Sequence, residues 1–195
     1  PIYILYGTEH YFIEQFKTTL IRMVKNEISD DITTYDLTET SIQEVLTDVE
    51  TLPFFNERKL IIASDPVFLK TKPDNLPFTH DVKRVEEYVE NPVPYSILVL
   101  IAPYEKLDER KKITKKQTVS IDCNPIKENE LRKWITYMAQ QHHITLTNEA
   151  LYLLESEFEN NLYLLQQEME KLALFVGQEG EVTQKIAKDI VSASL

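Results

Sequence analysis

Gly7 ends the short apolar run Ile2-Tyr3-Ile4-Leu5-Tyr6 and precedes a helical pattern, the setting in which a phosphate-binding loop is built. Such a loop has the pattern G-x-x-x-x-G-K-[ST], with glycines that let the backbone close on phosphates and a lysine that reaches them. Counted from Gly7, the second glycine and the lysine fall on Phe12 and Ile13, both large and apolar. The chain has only three glycines, so no other segment can supply the cradle. The topology for nucleotide chemistry is present without the ligands, and nucleotide hydrolysis is not expected.

Metal and nucleophile patterns are equally thin. His142 and His143 are adjacent, and on a helix they would point about 100° apart, whereas zinc ligands recur at i, i+4 or similar spacings. His10 and His80 lack nearby carboxylate or cysteine clusters, and Cys123 lacks a neighbouring histidine. Acidic pairs such as Glu86-Glu87 fall on the polar face of a helix, where solvation is the ordinary role. The sequence predicts no catalytic residue, no metal ligand and no cofactor.

One segment remains: Thr51-Leu52-Pro53-Phe54-Phe55-Asn56-Glu57-Arg58. Pro53 disfavours helical geometry at Leu52, so the helix before it must stop. Two phenylalanines follow, bounded by polar residues. They can tuck under a sheet as core, or project as an anchor for a partner, since aromatic anchors dominate interface energetics. The pattern alone leaves both readings open.

Charge narrows the class of partner. The net charge is −11, and neither the part before Ile121 nor the part after it is basic, whereas a chain gripping DNA phosphates carries a basic face. The local exception is Arg110, Lys111, Lys112, Lys115 and Lys116. Such runs are ordinarily solvated; this one is the candidate contact for DNA or a partner. The apolar runs are too short to span a bilayer, the opening residues lack a signal-peptide pattern, and the single cysteine fits a reducing compartment. A cytoplasmic protein without membrane contact is expected.

The elements that must position these residues alternate through the first part. Ile2 to Tyr6, Ile32 to Leu37, Leu60 to Ala63, Ser96 to Ala102 and Val119 to Ile121 read as strands. Ser96 to Ala102 is apolar throughout and belongs at the centre of a sheet buried on both faces. Between strands, Phe12, Phe16, Leu20 and Val24 mark one helix, and Ile42, Val45, Leu46 and Val49 a second, opened by a Ser41–Glu44 capping box. Val82, Val85 and Val89 mark a third, followed later by a short basic helix. Asp65 to His80, with Pro66, Pro73 and Pro77, reads as a long mobile surface loop. Strands separated by helices imply a parallel α/β sheet covered on both faces. After Pro125 the periodicity is helical, with Gly177 as a C-terminal cap and a last helix from about Thr183.

In their order and spacing several segments resemble the delta subunit of the bacterial DNA polymerase III clamp loader. They are Leu5-Tyr6-Gly7-Thr8-Glu9 with Phe12-Ile13-Glu14, Leu52-Pro53-Phe54-Phe55-Asn56-Glu57-Arg58-Lys59-Leu60, and Leu98-Val99-Leu100. Further on come Lys106-Leu107-Asp108-Glu109-Arg110-Lys111-Lys112, Glu130-Leu131 with Trp134-Ile135, and Gln167-Glu168-Met169-Glu170-Lys171-Leu172-Ala173. The resemblance covers nearly the whole chain. It implies an AAA+-like α/β domain over 1–122, with P-loop NTPase topology but no functional P-loop, then a small all-α lid domain over 123–195. It implies a component of the DNA polymerase III holoenzyme, a DNA-directed DNA polymerase, that performs no catalysis itself. Its role would be to grip the sliding clamp, the beta subunit, and help open its ring. The positions matching the family's hydrophobic grip are Phe54 and Phe55; Arg58 matches an arginine that follows the pair, and Leu52 flanks it.

The other implied partners are the tau/gamma and delta-prime loader subunits, met mainly through a third, C-terminal collar domain that the chain up to Leu195 is expected to lack. DNA would be met indirectly, within the complex. Many relatives open the third helix of the helical domain with Asp-Leu-Arg, whereas this chain reads Asn161-Leu162-Tyr163, so no phosphate-sensing arginine is assigned there. The rival readings are a nucleotide-dependent AAA+ ATPase and the delta-prime type of inactive loader subunit. The first lacks phosphate ligands here. The second typically carries a zinc-binding cysteine cluster and a Ser-Arg-Cys motif, and this chain has one cysteine.

Overall fold

In the computed structural model, which describes residues 1–28, 31–114, 118–159 and 161–192, the apolar runs of the first part form a parallel sheet. Its strands are β1 (Ile2–Tyr6), β2 (Ile32–Asp36), β3 (Lys59–Ser64), β4 (Ser96–Ala102) and β5 (Thr118–Asp122), in the order β2-β3-β4-β1-β5. The helices α1 (His10–Ile28), α2 (Ile42–Glu50) and α3 (Val82–Glu90) connect them. Side chains alternate across a strand, so each inner strand feeds two cores. Ile2 and Ile4, Ile61 and Ala63, and Leu98 and Leu100 pack with α2 and α3 through Val45, Leu46, Val49, Val85 and Val89. Their neighbours Leu5, Leu60, Ile62, Ile97 and Val99 pack with Ile13, Leu20 and Val24 of α1. The most apolar run, β4, is therefore central and covered on both faces, as its composition requires.

The chain divides into two compact units, Pro1–Pro125 and Ile126–Leu195. The second contains α4 (Glu128–Gln141), α5 (Asn148–Glu157), α6 (Leu162–Val176) and α7 (Gln184–Ser192). Its core includes Leu131, Ile135, Met138, Leu154, Leu165, Met169 and Leu172, and Gly177, with φ 76°, ends α6.

Four expectations need correction. The segment from Asp65 to His80 is not simply a surface loop: a 3₁₀ turn, Val67–Leu69, buries all three of its side chains. The chain turns back at Asp65, whose φ is 63°, and the Leu69 carbonyl accepts the Asp108 N–H at 2.8 Å, so the apolar triplet plugs the core. Thr71 to Asn75, Pro77 and Thr79 are its exposed residues. The expected basic helix is a single 3₁₀ turn, Lys112–Thr114, anchored by buried Ile113. His142 and His143 lie at the C-terminal end of α4, with His143 at φ 55°, rather than within a helix. The helical unit also holds a pair of two-residue parallel strands, β6 (Thr145–Leu146) and β7 (Glu181–Val182), too short to show a periodicity in the sequence.

Candidate protein-binding site

The site is built on α2. The Ser41 Oγ accepts the Glu44 N–H at 3.4 Å, and the Glu44 carboxylate accepts the Ser41 N–H at 3.0 Å, which fixes the start of the helix. A wholly buried face of Ile42, Val45, Leu46 and Val49 fixes its rotation against the sheet. The far end is fixed by polar contacts. A helix leaves its last four carbonyls without helical partners, and here each one has another. The Thr47 carbonyl accepts Thr51 Oγ1 at 2.8 Å, and the Asp48 carbonyl accepts the Thr51 N–H at 3.0 Å and the Lys59 ammonium. The Val49 carbonyl accepts Ser96 Oγ at 2.5 Å, and the Glu50 carbonyl accepts the Tyr95 hydroxyl at 2.6 Å.

Side chains reinforce this end. Lys59, the first residue of β3, is only 5% exposed, and its Nζ lies 2.9 Å from Asp48 Oδ1. The Tyr35 hydroxyl, from edge strand β2, donates to Asp48 Oδ2 at 2.6 Å. Burial opposes ionisation of Asp48, but the bonds from Tyr35 and Lys59 outweigh it, and its pKa is lowered. The same hydrogen bond, with burial, pushes the Tyr35 phenol up to about 12. A positive group at a helix C-terminus also complements the helix dipole. From α3, Arg84 pairs with Glu50.

Thr51 then leaves the helix in extended geometry, φ −75° and ψ 133°, and the chain runs into Leu52 and Pro53. Phe54 and Phe55 are 88% and 97% exposed, and Leu52 is 66% exposed. Both rings therefore stand in solvent rather than in the core, their centroids 6.4 Å apart and their planes tilted by 43°. Beside them lies an open concavity of about 460 Å³, lined among others by Thr51, Pro53, Asn56 and Asp31. Arg58 is half-buried. Neither Lys59 nor Tyr35 stood out in the sequence. A lysine before an apolar strand reads as a surface residue, and only its depth in the fold pairs it with Asp48.

The place where a phosphate loop would lie is closed by protein contacts. Gly7 has φ 138°, and a Cβ there would meet the Cys123 carbonyl carbon at 2.2 Å, so only glycine fits. The Gly7 N–H donates to the Ala102 carbonyl at 3.1 Å, the Thr8 N–H to Asn124 Oδ1 at 3.3 Å, and the Glu9 N–H to the Cys123 carbonyl at 2.9 Å. The Tyr11 N–H at the start of α1 donates to the Glu9 carboxylate at 3.1 Å. A helix N-terminus that could face an anion is thus already occupied by one.

The other sequence candidates stay apart from this site. Arg110 is exposed and forms a fork with the Asp108 carboxylate at 2.9 Å, which holds that acid at about 2. Lys111 and Lys112 continue the run, while Lys115 and Lys116 lie outside the described residues. Cys123 is buried, and burial with the Asp122 charge raises its thiol to about 11. Among the described residues no group of three or more His, Cys, Asp and Glu side chains is placed to hold a metal ion. No helix among them is long and apolar enough to cross a membrane.

The chain is similar to known proteins over its whole length. Residues 3–123 match the family described as DNA polymerase III, delta subunit, and residues 127–191 match one described as a middle domain. The sequence is 33% identical over 200 residues to DNA polymerase III subunit delta of Bacillus subtilis (strain 168), covering 100% of this chain. The chain spans 58% of the length of that relative. The solved DNA clamp loader delta protein of Bacillus subtilis superposes with a TM-score of 0.85 at 32% identity, over 98% of this chain and 58% of that one. RuvB, the Holliday junction branch migration motor of Thermotoga maritima, superposes with a TM-score of 0.50 at 12% identity, covering 98% of this chain and 61% of its own. That last likeness concerns the fold alone, an AAA+-like parallel α/β sheet with P-loop NTPase topology followed by a helical region.

Proposed function

Because the chain belongs to the DNA polymerase III delta subunit family, we propose that it grips the sliding clamp, the beta subunit, and helps open the ring for loading onto DNA. The observation that carries this reading is the exposure of Phe54 and Phe55 at a helix end whose carbonyls are all bonded. Folded chains bury such rings when they can. A fixed helix end that presents two rings to water suits a partner with an apolar pocket, because part of the ordering cost of binding is already met. Burying both rings would contribute about 3–6 kcal/mol before ordering costs. Leu52 adds apolar contact beside them, and Arg58 supports the rim. Ring opening then follows from preferential binding to a clamp conformation incompatible with the closed ring.

In the same reading the chain does not hydrolyse ATP. The bonded amides of the Gly7–Glu9 turn, with Phe12 and Ile13 in place of glycine and lysine, leave no cradle for phosphates. ATP would act on the tau/gamma subunits and control whether the grip is accessible. Contacts with tau/gamma and delta-prime would lie mainly in the part of the relatives beyond the 58% that this chain spans. DNA would be met indirectly within the complex, with Arg110, Lys111, Lys112, Lys115 and Lys116 as its candidate contact. In this reading the grip belongs to an α/β domain over 1–122, followed by a helical lid domain over 123–195.

Titration of the clamp with the chain and with its Phe54→Ala/Phe55→Ala variant tests the proposal. The variant is expected to bind at least about a hundredfold more weakly, the equivalent of roughly 3 kcal/mol. Equal affinity in a variant that keeps its fold would remove the site.

A further inference from the structure

The Phe54–Phe55 pair has no packing of its own to hold it: both rings are exposed, and the chain from Thr51 to Arg58 has neither helical nor strand structure. What precedes and follows it, however, is tied together. Asp48 lies in the last turn of α2, and Lys59 is the first residue of the next strand, so the two flank the loop on both sides. Their side chains meet at 2.9 Å, and the Lys59 ammonium also reaches the Asp48 carbonyl. Lys59 is buried to 5% exposure at the head of the apolar run Leu60–Ala63, a costly place for an ammonium unless it is paired. The Tyr35 hydroxyl closes the other Asp48 oxygen at 2.6 Å from the neighbouring strand. The clasp therefore ties the two stems of the loop to each other and to the sheet edge.

We propose that Lys59, Asp48 and Tyr35 are positioning residues that preset the spacing of the two stems and so hold the Phe54–Phe55 pair in its binding-ready geometry. This rests on the proposed clamp grip. Removing the clasp leaves both rings present but lets the stems part, so the loop samples more conformations, and the fraction competent to bind falls by that factor. An apolar core residue with no link to the loop would not act this way, because its loss would weaken the fold without acting through the rings.

A mutant cycle on clamp affinity separates these roles. Lys59→Met keeps the apolar stem and removes the charge; Tyr35→Phe removes only the phenolic donor and covers the case in which Lys59→Met does not fold. With helical content and unfolding midpoint followed in parallel, Lys59→Met is expected to weaken clamp binding about tenfold and Tyr35→Phe about threefold. Both effects should shrink to less than about twofold when Phe54 and Phe55 are already alanine, since there is then no anchor to position. Affinities of both variants within about twofold of the parent, while Phe54→Ala/Phe55→Ala still weakens binding, would overturn the positioning role and leave the grip intact. Effects that persist undiminished in the double-alanine background would also overturn it, because they would act elsewhere. A Phe54→Ala/Phe55→Ala variant that binds like the parent would instead remove the grip itself, and the positioning role with it.

Discussion

Phe54 and Phe55 make almost no intramolecular contact beyond each other, so their worth to the fold is small even if their worth to a partner is large. Surface substitutions away from caps and cores usually change stability by less than about 0.5 kcal/mol. The Phe54→Ala/Phe55→Ala variant should therefore melt within about 2 °C of the parent while binding less of an apolar dye, a combination measurable by calorimetry and fluorescence. A large drop in the midpoint would show that the rings support the fold. At this scale the sequence was half legible. Pro53 announced that the helix stops before the two rings, but two aromatics after a break fit a core as well as a surface. The helix end that precedes them is held by the bonds of Ser96, Tyr95 and Lys59, and those residues lie up to 47 positions away in the chain.

At the scale of elements, α2 is held at its start as well as its end. His80 Nδ1 accepts the N–H of Ile42, the first residue of the helix, at 3.0 Å, and the ring lies against Phe68 and Phe78 at centroid distances of 5.1 and 5.2 Å. Protonated imidazole carries hydrogen on both nitrogens and cannot accept that bond. Burial lowers the His80 pKa below its usual 6.5, opposed in part by the Leu37 backbone. The unfolded chain therefore binds the proton first as pH falls through about 6.5, and the folded chain only at lower pH. Stability is lost across that window and levels off below the folded pKa. The unfolding midpoint should thus fall between about pH 7 and pH 5 more steeply for the parent than for His80→Asn, whose amide oxygen can accept the same N–H without titrating. Equal slopes would place the pH dependence elsewhere. The capping box of Ser41 and Glu44 was readable because its members are three residues apart; the His80 bond spans 38 residues and carries no local signal. The burial of Val67, Phe68 and Leu69 was hidden for a related reason, since three apolar residues among prolines have no period.

For the whole molecule, the central place of β4 followed from composition, because a strand apolar on both faces has to be covered on both, whereas the order of the other strands carried no signal in the sequence. The net charge of −11 followed too, and it argues that whatever this chain grips is held by apolar burial rather than by phosphate contacts. Each bond that supports the Phe54–Phe55 pedestal has both partners within the unit Pro1–Pro125: Ser41 with Glu44, Asp48 with Lys59 and Tyr35, Val49 with Ser96, Glu50 with Tyr95 and Arg84, and Ile42 with His80. Among the described residues, the two cores on either face of the sheet also draw on that unit alone. Its length lies within the usual range for an independent domain. A chain ending after Pro125 is therefore expected to unfold in one cooperative denaturant transition and to bind the clamp within about threefold of the longer chain. A non-cooperative transition would show that the α/β unit needs the helical residues for its stability. A cooperative fold with lost affinity would mean that residues beyond 125 contribute directly to the grip, which the arrangement of bonds around α2 gives no reason to expect.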